Sequence, residues 1–364
     1  MRFHVVSLPH TQTTHDFSAC AFTEKVRKFC IMMKDRGHTV FLYAGDQNIA
    51  PCDEFISCIS EADRAAAVGD KHFVHASFDY TLPHWVNFNN KAIEGIRKHA
   101  QPQDFICVIG GLAHKQIADA FPNMITVEFG IGYGGTFSKY RVWESYAWMH
   151  LCYGAQQPNR NPCDIDGIFF DAVIPGYFEP ELFEYSAEKD DYYFFIGRLI
   201  SRKGFQIAAD VCEKLGKRLI VAGQGDPPTY GEYVGVIGPE ERNKLMSRAK
   251  ATFVPTQYIE PFGNVAVESM YCGTPVISTD WGAMTETVLH GKTGFRCRTL
   301  NEFLEAAKNV HTLDPYTCHA HARDNYSLDV TGKKYEDHFK RLLTLWGNGW
   351  YAVPEQISPV KIPS

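Results

Sequence analysis

No uncharged apolar run in this sequence approaches the roughly 18 residues that a bilayer-spanning helix needs, so no transmembrane segment is expected. An excess of basic charge is also missing: 36 Lys and Arg stand against 42 Asp and Glu, a formal net charge of −6. That balance argues against broad electrostatic capture of nucleic acid or anionic lipid. Cysteine is present, eleven residues, but no Cys-x-x-Cys pair occurs, and thiols such as Cys107, Cys212 and Cys272 lie inside apolar runs. Buried reduced thiols are expected, rather than disulfides or a zinc site. The opening Met-Arg-Phe-His-Val-Val-Ser turns polar too soon for a signal peptide. It reads as a first buried strand, and the cytoplasm is the expected location.

An apolar fraction of 45% and a charged fraction of 21% are those of a soluble globular protein, and 364 residues suit two domains of ordinary size. Residues 2–7 read as a strand, the face Phe22, Val26, Phe29, Met33 as a helix, and 39–43 as the next strand. This β-α-β unit starts a doubly wound parallel sheet. The pattern is weak from Asp46 to about Trp85. It resumes with a helix near 88–99, a strand at 105–109, a helix near 113–121 and a strand at 124–128. Gly130-Ile-Gly-Tyr-Gly-Gly135 superficially suggests a phosphate loop but matches no Walker pattern. Trp143, Tyr146 or Ala147, and Cys152 lie at approximate helical spacing, which predicts a core-facing helix through the aromatic stretch 140–153; a stacking platform for an aromatic or sugar acceptor is the alternative.

The second half carries the chemistry. A strand at 192–196 ends in Gly197-Arg198, and Lys203 follows before a helix with Ile207, Val211 and Leu215. Ligands of parallel sheets bind beyond the carboxyl ends of the strands, so Arg198 and Lys203 project where a polyphosphate would lie. Further strands are expected at 218–222, 233–237, 252–255 and 275–279, and helices near 301–311 and 331–346, with a loosely ordered tail from Val353. In Glu260-Pro-Phe-Gly-Asn-Val-Ala-Val-Glu268, Pro261 and Gly263 forbid regular structure, and Asn264 suits the N-cap of a helix that Gly273 closes. The free amides of its first turn, at Gly263, Asn264 and Val265, make a seat for a diphosphate.

This segment resembles the Glu-x7-Glu signature of group 1 retaining nucleotide-sugar glycosyltransferases. The resemblance runs from about Tyr192 to Phe295 and includes Gly197-Arg-Leu-Ile-Ser-Arg-Lys-Gly204, Val221-Ala-Gly-Gln-Gly-Asp226 and Cys272-Gly-Thr-Pro-Val-Ile277. It implies an α/β protein of two facing Rossmann-like domains, the GT-B fold, with an interdomain cleft. An acceptor-side domain would occupy residues 1–175 and a donor domain 176–335, joined by a linker at 173–183. A helix and tail, 336–364, would cross back to the first domain.

The same resemblance assigns the residues. Glu260, Arg198 and Lys203 would be catalytic, the two cations holding the departing diphosphate and Glu260 orienting the sugar. Gly197, Phe262, Gly263, Asn264 and Val265 would line the donor, Glu268 would accept hydrogen bonds from ribose, and Val236 and Ile237 would face the base. The acceptor-side candidates are His10, Glu128 and Tyr133. The family's glycine pair is missing from the first loop, where Pro9-His-Thr-Gln-Thr-Thr-His15 stands instead, and Glu128 or Phe129 stands where many relatives carry a histidine. With that loop, the aromatic stretch is similar to a branch common in phage genomes.

The resemblance implies hexosyl or pentosyl transfer with retention and without metal or other cofactor. Asp164-Ile-Asp166, which mimics a metal-binding Asp-x-Asp, is discounted because it sits in a Pro- and Asn-rich loop. The acceptor is left open: a glycan, lipid, protein, small molecule or modified DNA base. A nucleotide-sugar 2-epimerase of the same architecture and a non-catalytic sugar-nucleotide binding module are the alternatives.

Overall fold

The computed structural model describes residues 1–70 and 72–345, which form two compact α/β units. The first unit comprises residues 1–144 and 152–177 together with the helix Leu328–Leu343. Its seven strands are β1 Arg2–Val6, β2 Thr39–Gly45, β3 Glu54–Ile59, β4 Phe105–Val108, β5 Ile125–Ile131, β6 Tyr140–Trp143 and β7 Ala172–Val173. Every pairing is parallel, in the order β3-β2-β1-β4-β5-β6-β7. Both faces must then be covered, which is why β1, β4 and β5 are buried on both faces without alternation. On one face the helix Ala21–Asp35 buries Val26, Phe29, Cys30 and Met33. The helix Leu328–Leu343 adds Tyr335, Phe339 and Leu342, with the Phe339 ring 4.7 Å from Phe3. Burying a phenylalanine in this way contributes about 1.5–3 kcal/mol.

The second unit holds residues 145–151 and 178–327. Its strands are β8 Tyr192–Ile196, β9 Arg218–Ala222, β10 Glu232–Gly235, β11 Thr252–Val254, β12 Val276–Thr279 and β13 Gly294–Cys297. They too are all parallel, ordered β10-β9-β8-β11-β12-β13. The helices Phe205–Leu215 and Leu300–Asn309 share a core with β8, β9 and β11, while Asn264–Tyr271 and Pro315–Tyr326 pack together elsewhere. No helix among the described residues is long and apolar enough to cross a membrane. All eleven cysteines are free, and nine are buried.

Several sequence expectations need correction. The weak region 46–85 contains β3, an edge strand whose first residues are exposed, and the helix Glu61–Val68, which buries no residue. The helix has no buried face and only the end of β3, Cys58 and Ile59, reaches the core, so periodicity has little to report, although Ser60 caps the helix through the Asp63 amide at 3.1 Å. Trp143 ends the four-residue strand β6 and is not helical; the helix that follows is Tyr146–Gln156. The helix Pro315–Tyr326 was not expected, because it buries only Cys318, Ala322 and Tyr326. The closing helix starts at Leu328, three residues before the expected 331. The tail from Val353 lies outside the described residues.

Gly130 to Gly135 has Gly-x-Gly-x-x-Gly spacing but leads into β6 and opens no helix, so it has no helix terminus to offer a phosphate.

Candidate functional site

The residues proposed for the donor all belong to the second unit and follow the carboxyl ends of β8, β10 and β11. Glycines let these loops approach one another. A Cβ on Gly223 would lie 1.8 Å from the Gly197 carbonyl oxygen, and one on Gly204, where φ is +72°, would lie 2.0 Å from that of Pro255. Gly204 thus seats the Ser201–Lys203 turn against the loop after β11, and the Gln257 amide donates to the Arg202 carbonyl at 2.8 Å. Two loops more than fifty residues apart in sequence are tied at the point where Lys203 emerges.

Lys203 Nζ lies 2.7 Å from Glu260 Oε1, and their side chains are 21% and 14% exposed. Burial pulls the Lys203 ammonium down, but Glu260 and the Tyr258 hydroxyl outweigh it and hold the group above its ordinary range. The ammonium also stands 5.1 Å from the Tyr258 ring centre, and the Arg202 guanidinium 4.6 Å from it. Glu260 Oε2 is buried and has no hydrogen-bond partner among the described residues. A buried carboxylate oxygen without a donor is costly, and a ligand hydroxyl would satisfy it. Arg198 is exposed and makes no ion pair among the described residues.

The loop that carries Glu260 is held carbonyl by carbonyl. Glu260 O accepts from the Ala283 amide at 3.4 Å, Pro261 O from Ser145 Oγ at 2.6 Å, and Phe262 O from Thr287 Oγ1 at 3.5 Å. Ser145 opens a segment whose Tyr146 and Ala147 amides donate to the Glu286 carboxylate at 2.9 and 2.8 Å.

The helix then begins differently from expectation. Asn264 is its first residue and Gly263, at φ +86°, is the N-cap, with no side-chain cap bond. At φ +86° this position favours glycine over any residue with a Cβ, and a Cβ there would also displace the Met284 methyl, 2.1 Å away. Because no side chain caps the helix, the first-turn amides stay available to an anion. Phe262 is buried, and Gly273, at φ +71°, follows the helix end as expected.

One turn in, Glu268 Oε1 accepts from Arg242 Nη1 at 3.1 Å, a partner that the sequence reading missed. Arg242 belongs to the helix Pro239–Arg248, twenty-six residues away, and nothing local pairs the two. The strand before it ends at Gly235, short of the expected 237, because Gly235 turns the chain at φ +79°. Val236 is consequently 74% exposed, and Ile237 packs only partly against the core.

The acceptor-side candidates lie in the first unit and divide. Glu128 is fully buried in β5. It accepts from the Phe137 and Ser138 amides at 2.9 and 2.8 Å and from Tyr133 Oη at 3.4 Å. Burial pushes its carboxyl up to about 7 against those bonds. Glu128 is therefore the clasp of its own loop, closed to an acceptor, and Tyr133 is part of that clasp. His10 is also buried, between the rings of Phe78 at 5.1 Å and Trp85 at 6.4 Å. Its Nδ1 has no partner among the described residues, and burial lowers its pKa to about 4. Asp166 pairs with Arg160 at 3.4 Å at the surface.

Residues 190–313 match the family described as "Glycosyl transferases group 1". Over 121 residues the chain is 31% identical to a glycogen synthase of Mycobacterium tuberculosis, covering 28% of this chain and 29% of the synthase. Over 117 residues it is 31% identical to an uncharacterized glycosyltransferase of Methanocaldococcus jannaschii, covering 28% and 30% of the two chains. The matched stretch therefore spans less than a third of these relatives' own length. Among solved structures, AviGT4, a glycosyltransferase involved in avilamycin A biosynthesis, aligns with a TM-score of 0.67 at 17% identity over 94% of this chain and 98% of its own. Anabaena HepE in complex with UDP and glucose aligns with a TM-score of 0.60 at 14% identity, over 93% and 99%. The chain has the GT-B fold, and residues 190–313 match the group 1 glycosyltransferase family.

Proposed function

We propose that this protein transfers a sugar from a nucleoside diphosphate sugar to an acceptor hydroxyl, with retention at the anomeric carbon. The observation that carries the reading is the buried, unpartnered Glu260 Oε2, held beside Lys203 at the open end of the helix Asn264–Tyr271. The helix amides, Lys203 and Arg198 take the growing charge of the diphosphate, so cations of the chain itself fill the part that a metal plays elsewhere. Glu260 Oε2 accepts a sugar hydroxyl, and Glu268 a ribose hydroxyl. The bond from C1 to the phosphate oxygen breaks as the bond from C1 to the acceptor oxygen forms on the same face. The acceptor proton passes to the departing phosphate. Glu260, its charge compensated by Lys203 at 2.7 Å, is a poor nucleophile and a poor base, which favours this route over a glycosyl-enzyme.

UDP-sugars are the first donors to try, because solved structures of the same fold hold UDP, UDP-glucose, or UDP with glucose. The test is a thermal-shift panel of UDP-, GDP- and ADP-sugars, followed by NMR of product formed with and without an acceptor mixture in excess chelator. The expected result is stabilisation by one nucleotide series and an acceptor-dependent product of unchanged anomeric configuration. Donor consumption without acceptor, loss of transfer in chelator, or no stabilisation by any nucleotide would each overturn the reading as stated.

A further inference from the structure

The two glutamates that border the helix terminus present a physical difficulty. Each would set a negative charge beside the place proposed for a diphosphate, and like charges there oppose binding. For Glu260 the remedy is Lys203. For Glu268 it is Arg242, whose Nη1 donates to Oε1 at 3.1 Å and leaves Oε2 unengaged by that bond. The remaining contacts of this guanidinium are slight: Nη2 reaches Asn243 Oδ1 at 3.4 Å, the Phe183 ring centre lies 5.7 Å from Cζ, and Nε is buried without a partner among the described residues. Its strongest bond is the one to Glu268.

The backbone of Arg242 is fixed as tightly. Its amide donates to the Gly238 carbonyl at 2.9 Å, in the first turn of a helix that opens directly after the Val236-Ile237-Gly238 turn. That turn therefore sets where the Arg242 side chain starts, and the bond to Glu268 holds its end.

We infer that Arg242 is a positioning residue that aims Glu268 Oε2 at the ribose and cancels the charge of Glu268 beside the diphosphate. This rests on the proposed donor site. It adds a mechanical link between the turn assigned to the base and the carboxylate assigned to the ribose.

The test compares ligands that differ only in ribose hydroxyls. Whichever of UDP, GDP or ADP binds the unaltered protein most tightly is titrated calorimetrically beside its 2′,3′-dideoxy counterpart, against the unaltered protein, Arg242→Met and Arg242→Lys. The unaltered protein should lose about 10- to 150-fold in affinity with the dideoxy ligand, the scale of a hydrogen bond to a charged group. In Arg242→Met that discrimination should shrink to about threefold or less, since Glu268 is no longer aimed. Arg242→Lys should recover affinity for the diphosphate more than discrimination at the ribose, because the charge returns without the guanidinium fork.

Full hydroxyl discrimination in a folded Arg242→Met would overturn the inference while leaving the donor site standing. Should Arg242→Met not fold, full discrimination in Arg242→Lys would overturn it equally. Binding of both ligands alike by the unaltered protein would remove the ribose role of Glu268, and the inference with it. No binding of any of the three diphosphates would instead sink the proposed function.

Discussion

At the carboxyl end of the second sheet, the two candidate carboxylates keep some exposure and each has its own cation, Lys203 for Glu260 and Arg242 for Glu268. At the carboxyl end of the first sheet, the candidates are stripped of water instead. Glu128 is closed over by its own loop, and His10 lies among aromatic rings with the equally buried His114 nearby. Both sheets are parallel and doubly wound, so topology does not account for the contrast. What differs is the origin of the partners. In the second unit they come from distant elements and leave particular atoms unengaged, Glu260 Oε2 and Arg242 Nε. In the first, the Glu128 partners come from residues 133–138 of the same connection and use both carboxylate oxygens. A compensated but incompletely bonded charge suits a ligand that brings charge and hydroxyls; a desolvated one suits stability.

The largest expected effect breaks the first half of that contrast. Lys203→Ala should lower kcat by about 10²- to 10³-fold, the scale of losing one preorganised donor to a leaving group. It should also cost stability, about 1–2 kcal/mol, because Glu260 is left partly buried and uncompensated. Arg198→Ala should bring a similar loss of turnover with stability changed by less than about 0.5 kcal/mol, since its side chain is exposed and makes no ion pair among the described residues. Steady-state kinetics and denaturant unfolding of both variants check this. Equal stability losses would mean the cations are not distinguished as the structure distinguishes them.

The next effect concerns the first unit and is read in pH. Burial lowers the folded pKa of His10 from 6.5 to about 4, so the folded chain resists a proton that the unfolded chain accepts. The stability that goes with the neutral ring is complete above pH 6.5 and lost as pH falls toward 4, at most roughly 3 kcal/mol from His10. Glu128 has the opposite sign. Its carboxyl is raised from 4.5 to about 7, so its contribution is complete below pH 4.5 and lost as pH rises through 7. In unfolding followed from pH 4 to 8, His10→Gln should flatten the acid limb and Glu128→Gln the neutral one. Unchanged limbs in both variants would show that these groups are not desolvated as described.

Smaller again is the split between the two glutamates. Glu268→Gln should weaken binding of nucleoside diphosphate by about 10- to 150-fold if the ribose contact is lost, whereas Glu260→Gln should leave it almost intact and abolish most transfer. Parallel losses in a calorimetric titration would contradict separate roles.

The sequence made much of this legible, for reasons that differ by region. Parallel strands buried on both faces are largely apolar runs, so β1, β4, β8 and β9 could be read directly. Gly204 and Gly263 take positive φ, +72° and +86°, and at Gly204 a Cβ would also strike the Pro255 carbonyl; a glycine in sequence signals such places. The edge strand β3 and the helix Glu61–Val68 could not be read, because periodicity reports burial and these elements have little. The ion partners were equally hidden. Lys203 meets Glu260 across fifty-seven residues and Arg242 meets Glu268 across twenty-six, separations set by sheet order. Asn264 misled for a local reason: asparagine is a good N-cap, but the cap position takes φ +86°, which favours the glycine that precedes it.

The smallest effect tests whether distant partners matter to the loop itself. Ser145 Oγ donates to Pro261 O at 2.6 Å and accepts from the Trp148 amide at 3.1 Å, so one buried hydroxyl joins the start of the helix Tyr146–Gln156 to the centre of the Glu260–Gly263 loop. Ser145→Ala removes both bonds with almost no change of volume, and the net loss should be about 1 kcal/mol of stability, as for an ordinary neutral hydrogen bond. If the bond also aims the loop, turnover should fall several-fold while affinity for nucleoside diphosphate hardly moves, because Glu268 and Arg242 lie outside it. Ser145→Thr, which keeps the hydroxyl, should recover most of that turnover. A stability loss of this size with unaltered turnover would make Ser145 a packing residue only. Turnover that stays low in Ser145→Thr would point to steric crowding of the loop and away from the lost hydrogen bond.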